Sequence, residues 1–346
     1  MHATANGDRE GAIYHRPRVR EYSPMRLVHC AATLLTLAGL LPAADTPAVA
    51  LIVGNKEENS LTIVDPDSGK VVARMPTGEG PHEVAVSADG KLAFVANYGT
   101  AQAPGSTISV IDLVGQKELR KVSLGPLRRP HGLAVSGGKV YFTAEANRLV
   151  GRYDPASNQI DWLMGTGQGT THMVIAGPAP DQLFTANIGG DSISVIERNT
   201  VTAIPVGKGP EAIDLSPDGK ELWTAHSRDG GVSIIDVPSK KVVQTLSLGT
   251  KRSNRLKFTP DGKRVLITDL DAGELLVLDA ASRKEIQRVK LGKTPEGILI
   301  SRDGARAYVC VAGDDQIAVI DLKTLQVTGH LTTGKGPDGM AWAVRQ

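Results

Sequence analysis

One pattern of about 42 residues runs seven times from Ala48 to the end of the chain, and its last copy is completed by its first. The clearest copy reads Pro210-Glu-Ala-Ile-Asp-Leu-Ser-Pro-Asp-Gly219, then Glu221-Leu-Trp-Thr-Ala-His226, then Val232-Ser-Ile-Ile-Asp236, then Lys241-Val-Val-Gln-Thr-Leu246. Each fragment is short, apolar and rich in β-branched residues, and Gly, Pro, Asp or Ser separate the fragments. That is four strands per repeat with turn signals at even spacing. The pattern predicts an all-β, seven-bladed propeller with four antiparallel strands per blade. The one long repeat carries an insertion, Gly99 to Gly105, whose Gly/Pro-rich composition suits a loop between two strands.

Strand counting predicts how the ring closes. The chain begins with segments matching the second, third and fourth strands of a blade: Ala50 to Asn55, Ser60 to Val64 and Val71 to Met75. The missing first strand stands at the other end, as Gly339 to Ala343. A blade built from both termini removes two open sheet edges, which are otherwise templates for aggregation.

Residues 1–44 read as a leader and 45–346 as a single propeller domain. Met25-Arg26, an apolar run from Leu27 to Leu41 and a small-residue exit before Asp45 have the layout of an export signal, with Met25 as the expected start and cleavage after Ala44. The apolar run is too short to span a bilayer comfortably. The expected product is periplasmic or secreted, monomeric, and without a membrane span. Residues 1–44 carry five arginines and three acids against chain totals of 39 basic and 37 acidic residues, so the remainder holds 34 of each. A neutral domain lacks the global footprint of a nucleic-acid binder, although Arg128-Arg129 and Lys251, Arg252, Arg255 and Lys257 form local basic clusters. One cysteine, Cys310, remains after the leader, and it reads as an apolar filler.

A ligand site is expected where equivalent loops gather round the axis. The residue after each opening turn gives a first ring: His82, His131, His172, Glu211, Asn254, Glu296 and Asp338. The ends of the second strands give another: Asn55, Asn97, Glu145, Asn187, His226, Asp269 and Val311. Glu83 and Arg255 follow members of the first ring. Three of the chain's eight histidines thus hold equivalent positions in three consecutive repeats. Imidazole with a carboxylate suits zinc and similar ions, which makes His82, His131 and His172, with Glu211 or Glu83, a candidate metal set. No other cofactor is expected, and the absence of Cys-x-x-Cys-His excludes covalent haem. The acid ending most third strands (Asp65, Asp112, Asp154, Glu197, Asp236, Asp279, Asp321) reads as a turn residue that accepts backbone N–H bonds.

Phe94-Val-Ala-Asn-Tyr98, Gly209 to Gly219 and Gln316-Ile-Ala-Val-Ile-Asp321 resemble the bacterial YVTN-type propeller repeat family, over nearly everything after the leader. The resemblance implies an exported propeller that binds a small organic ligand or a protein at its central funnel. A related branch, the lactonase and muconate-cyclising propellers, implies an alternative: an enzyme with one histidine of His82, His131 and His172 as general base (His131 the first candidate), Glu211 or Glu296 as the carboxylate and Arg255 steadying an oxyanion. That branch has less regular repeats. Other members resemble single-stranded DNA binders, which gives a second alternative.

Overall fold

The computed structural model describes residues 45–345; the leader, and with it the expected signal and cleavage site, lies outside the described residues. Twenty-eight strands among them form seven four-stranded antiparallel sheets, one per repeat. The strand Pro337–Val344 is hydrogen-bonded to Val49–Asn55, which continues to Ser60–Val64 and Val71–Pro76, so blade 1 is shared by the two chain ends. The other blades open on Pro81–Val86, Pro130–Ser136, Thr171–Ala176, Pro210–Leu215, Ser253–Phe258 and Pro295–Ile300, numbered blades 2 to 7.

Blades pack face to face, so the middle strands are buried on both faces. Leu222 to His226 and Val232 to Ile235 are all buried. Each apolar cluster joins neighbouring sheets. Leu61 and Ile63 of blade 1 meet Val84, Val95 and Ile111 of blade 2. Trp223 and Ile234 of blade 5 meet Phe258, Val265 and Leu278 of blade 6. At the seam, Leu51, Val53 and Val64 pack on Tyr308, Cys310 and Ile317 of blade 7, with Met340 and Trp342 of the closing strand. Each such side chain contributes about 1.5–3 kcal/mol when fully buried. Outermost strands have one dry face at most; in Lys241–Ser247 only Leu246 is partly covered.

The aspartates that end third strands are turn residues, as expected: Asp65 accepts from Asp67 N–H and the Ser68 hydroxyl, and Asp154 from Ala156 N–H and Ser157; Glu197 departs from this, its carboxylate accepting from Gln182 and Lys240 instead. The Gly99–Gly105 insertion lengthens the hairpin of blade 2, where Gly99 pairs with Pro104.

One irregularity recurs in every blade. The ladder between first and second strands slips just after the opening residue: Pro81 to Val84, Pro130 to Leu133, Thr171 to Met173, Pro210 to Ala212, Ser253 to Leu256, Pro295 to Ile298, and Pro337 to Met340. Each slip places one extra residue on the inner strand. A bulge of this kind bends the strand and re-aims a side chain. The seven first-ring residues all sit in these bulges. Glycine follows three of them where the next blade presses in: a Cβ on Gly132 would stand 2.7 Å from His172 O, and one on Gly297 2.0 Å from Asp338 O.

Candidate functional site

The bulges aim all seven first-ring side chains into a funnel of about 550 Å³ at one end of the axis. His82, His131, His172, Glu211, Asn254, Glu296 and Asp338 all line it. Separate sheets stand roughly 10 Å apart, yet near the axis the imidazoles converge. Ring centroids of His82 and His131 are 4.7 Å apart, and those of His131 and His172 are 3.7 Å apart at a 35° tilt.

The second ring is displaced from its expected place. Asn97, Asn187, His226 and Asp269 do not line the funnel. Asn97 bonds Thr107 and Ser109, Asn187 bonds Ser192 and Ser194, and Asp269 accepts the Lys251 and Arg252 N–H groups. His226 is fully buried, with Nδ1 2.9 Å from Asp229. Strand register gives the reason. Asn97 pairs directly with Pro81, Asn187 with Thr171, His226 with Pro210 and Asp269 with Ser253. Directly paired residues share a face, and successive residues alternate. The opening residue points away from the funnel, so its partner does too. The residue after that partner lines the funnel in blades 1, 2, 4, 5 and 6, as Lys56, Tyr98, Ile188, Ser227 and Leu270, but not in blade 7, where it is Ala312. Glu145 enters because in blade 3 it is Ala144 that pairs with Pro130. Parity counted from each opening turn would have found Lys56 and Tyr98.

The funnel has two chemically distinct sides. On blades 2 to 4, Glu145 accepts from Tyr98 OH at 2.5 Å and stands 2.5 Å from His172 Nδ1. Tyr98 packs edge-on against His82 and His131, beneath the Arg129 guanidinium at 4.8 Å. Burial, and then the Glu145 charge, push the Tyr98 hydroxyl up to about 12. Burial, reinforced by the neighbouring His172 and His82, holds His131 well below the usual histidine range, so it is neutral. Burial favours protonation of Glu145, but its bonds to His172 and Tyr98 outweigh that and keep it ionised.

On blades 1, 2, 6 and 7, carboxylates surround Arg255. This buried guanidinium reaches Glu83 at 2.5 Å and Asp338 at 3.5 Å, and it bonds Asn254, which in turn donates to Glu211. Lys56 stands 3.4 Å from Glu296 and 3.5 Å from Asp338, and His82 Nδ1 stands 2.7 Å from Asp338. Glu83 points below the floor into an axial cavity of about 260 Å³ rather than into the funnel. The local basic cluster of the sequence is dispersed: Arg255 is in the floor, Lys257 pairs with Asp214, and Arg252 stands on the rim.

Glu296 and Asp338 divide one charge. Burial, followed by the adjacent Asp338, raises Glu296 to about 8 against the opposing pull of Lys56. Asp338 is buried too, but Lys56, His82 and Arg255 hold it well below the usual carboxylate range. Because the folded protein keeps the Glu296 proton longer than the unfolded chain does, this group's contribution is complete below about pH 4.5 and is lost as pH rises through about 8. Glu296→Gln is therefore expected to flatten the fall of unfolding free energy between those limits, where the wild type loses at most about 1.4 kcal/mol per pH unit through this group. Urea titrations of both proteins at pH 5 and pH 8 check it, and equal slopes would refute the assignment. Asp338 acts in a separate window, below its unfolded pKa.

Fold and site together define a seven-bladed β-propeller with a histidine- and carboxylate-lined funnel. Among known families, the cytochrome D1 heme domain matches residues 178–303. No curated protein matches the chain. The Kuenenia stuttgartiensis hydrazine synthase structure is 21% identical with a TM-score of 0.66, over 75% of this chain and 88% of that one. A putative 6-phosphogluconolactonase from Bacteroides fragilis is 15% identical, TM-score 0.72, over 85% and 97%. The periplasmic gluconolactonase of Pseudomonas aeruginosa is 18% identical, TM-score 0.70, over 85% and 99%. At these identities the likeness is one of fold.

The matched segment holds none of His82, His131 and His172. Its one histidine, His226, is turned away from the funnel and bonded to Asp229. Among the described residues, Ile188 and Leu270 are the only aliphatic side chains in a lining that is otherwise polar, charged or aromatic, where a haem face needs apolar cover. These residues do not fit a haem.

Proposed function

We propose that the protein is an exported, small-molecule-binding propeller that takes an organic anion in its funnel. The carrying observation is a pair of unengaged cations. Arg228 and Arg252 line the funnel, both are exposed, and neither guanidinium has a hydrogen bond or ion pair among the described residues. The acid that acts on Arg228 through space, Asp191, is already bonded to Lys208 and the Gly209 N–H. Arg255 and Lys56 are committed to carboxylates in the floor, so an entering anion meets the rim arginines of blades 5 and 6 first. A planar guanidinium recognises carboxylate or phosphate through paired N–H donors.

Calorimetric titration of chelator-treated protein with sugar acids, sugar phosphates and sugar lactones tests this reading. At least one anion is expected to bind, and Arg228→Gln/Arg252→Gln to weaken it by roughly tenfold or more, the loss of one or two charge-assisted hydrogen bonds. Unchanged affinity in the double variant would remove the reading. Lactone turnover in the same panel would mark the protein as an enzyme rather than a binding module.

A further inference from the structure

We propose that His131, Glu145 and His172 form a binding site for a first-row transition metal ion of the zinc or copper class. This does not rest on the anion reading, since it uses residues of blades 3 and 4 and neither rim arginine. One donor atom from each of the three residues lies within 4.8 Å of the others, and all three side chains are buried. His131 is 3% exposed and His172 6%. His131 Nδ1 and His172 Nε2 are buried without any hydrogen-bond partner. An unpaired buried ring nitrogen costs about 1–3 kcal/mol, and a bound cation would satisfy it.

The chemistry of the set selects the ion. Two imidazole nitrogens and one carboxylate suit zinc or copper, whereas calcium and magnesium require oxygen-rich sites. The surroundings resemble the outer layer of a metal centre, where carboxylates and hydroxyls orient the ligands. Tyr98 OH holds Glu145 Oε2 and Arg129 covers the Tyr98 ring, while the contact between Glu145 Oε1 and His172 Nδ1 is the one exchanged for metal bonds when the ion enters. Metal–nitrogen bonds of about 2.0–2.1 Å require the donors to draw together. The stacked, 35° tilted rings of His131 and His172 must rotate for this. Of the candidate set expected from sequence, His131 and His172 remain; Glu145 takes the place of His82, whose Nδ1 faces Asp338, and the expected carboxylates Glu211 and Glu83 are engaged with Asn254 and Arg255.

The test uses the purified protein, stripped with a chelator and titrated with Co²⁺, Zn²⁺ and Cu²⁺ in buffer free of organic anions. One ion per chain is expected, with Co²⁺ giving the intense visible bands of a four- or five-coordinate nitrogen-containing site. The Cu²⁺ paramagnetic resonance spectrum should carry hyperfine structure from two imidazole nitrogens. His131→Ala and His172→Ala should each weaken binding by at least 100-fold, and Glu145→Gln by roughly 10–100-fold. The surface replacement His330→Gln should change nothing. Substoichiometric binding, or a spectrum without imidazole coupling in the wild type, overturns the proposal even if a variant fails to fold. Affinity unchanged by His131→Ala overturns it as well. Anion binding measured on stripped protein fails or stands separately.

Discussion

Removing residues 337–346 is expected to abolish cooperative folding. That segment supplies the inner strand of blade 1, paired with Val49–Asn55 from Val344 through Pro337. Its loss strips one edge of that sheet and uncovers Leu51 and Val53, both fully buried. It also removes Met340 and Trp342 from the seam with blade 7, and with Trp342 its hydrogen bond to Ile300 O. Asp338 goes too, leaving Lys56, His82 and Arg255 short of a partner. Several buried side chains at about 1.5–3 kcal/mol each, together with a broken ladder, are comparable to the whole net stability of about 5–15 kcal/mol. Circular dichroism and urea titration of the truncated chain read the effect. A single sharp transition near the wild-type midpoint would show that the ring does not depend on this seam.

Arg255→Met is expected to cost about 3–5 kcal/mol, because it leaves buried acids without their cation. The guanidinium lies among Glu83, Asp338, Glu211 and Glu296, whose attraction outweighs the cost of burying its charge. Removing one partner of a buried pair is far more damaging than removing both. Arg255→Met/Glu83→Gln should therefore recover part of the loss. Urea denaturation of wild type, both single variants and the double variant closes the cycle. A single-variant loss under about 1 kcal/mol would mean that water screens the floor, and that Arg255 is no structural pin.

The ring was legible because its signals are local. Apolar alternation, Pro and Gly at even spacing and Ser-Pro-Asp-Gly turns each report on a few neighbouring residues. The seam was legible by counting strands, since Gly339 to Ala343 was the one inner strand without a following partner. The first ring was legible because each member follows a turn at a fixed position. The second ring was misplaced by one residue. Asn97, His226 and Asp269 end their strands as expected, but facing depends on pleat parity across the ladder, and a shift of one position reverses it. Tyr98 and Lys56 enter the funnel because each stands one position beyond the residue paired with the opening proline.

By itself the sequence determined how many blades there are, where the strands lie, and which residues stand at the axial turns, because those follow from local backbone preference and repetition. Only the tertiary structure decided who meets whom at the centre. Glu83 and Arg255 are 172 residues apart and form an ion pair across the axis, and Glu145 clasps the histidine of the next blade. Those contacts depend on how far each bulge turns its side chain and how closely neighbouring sheets approach near the axis, and both are set by packing in three dimensions.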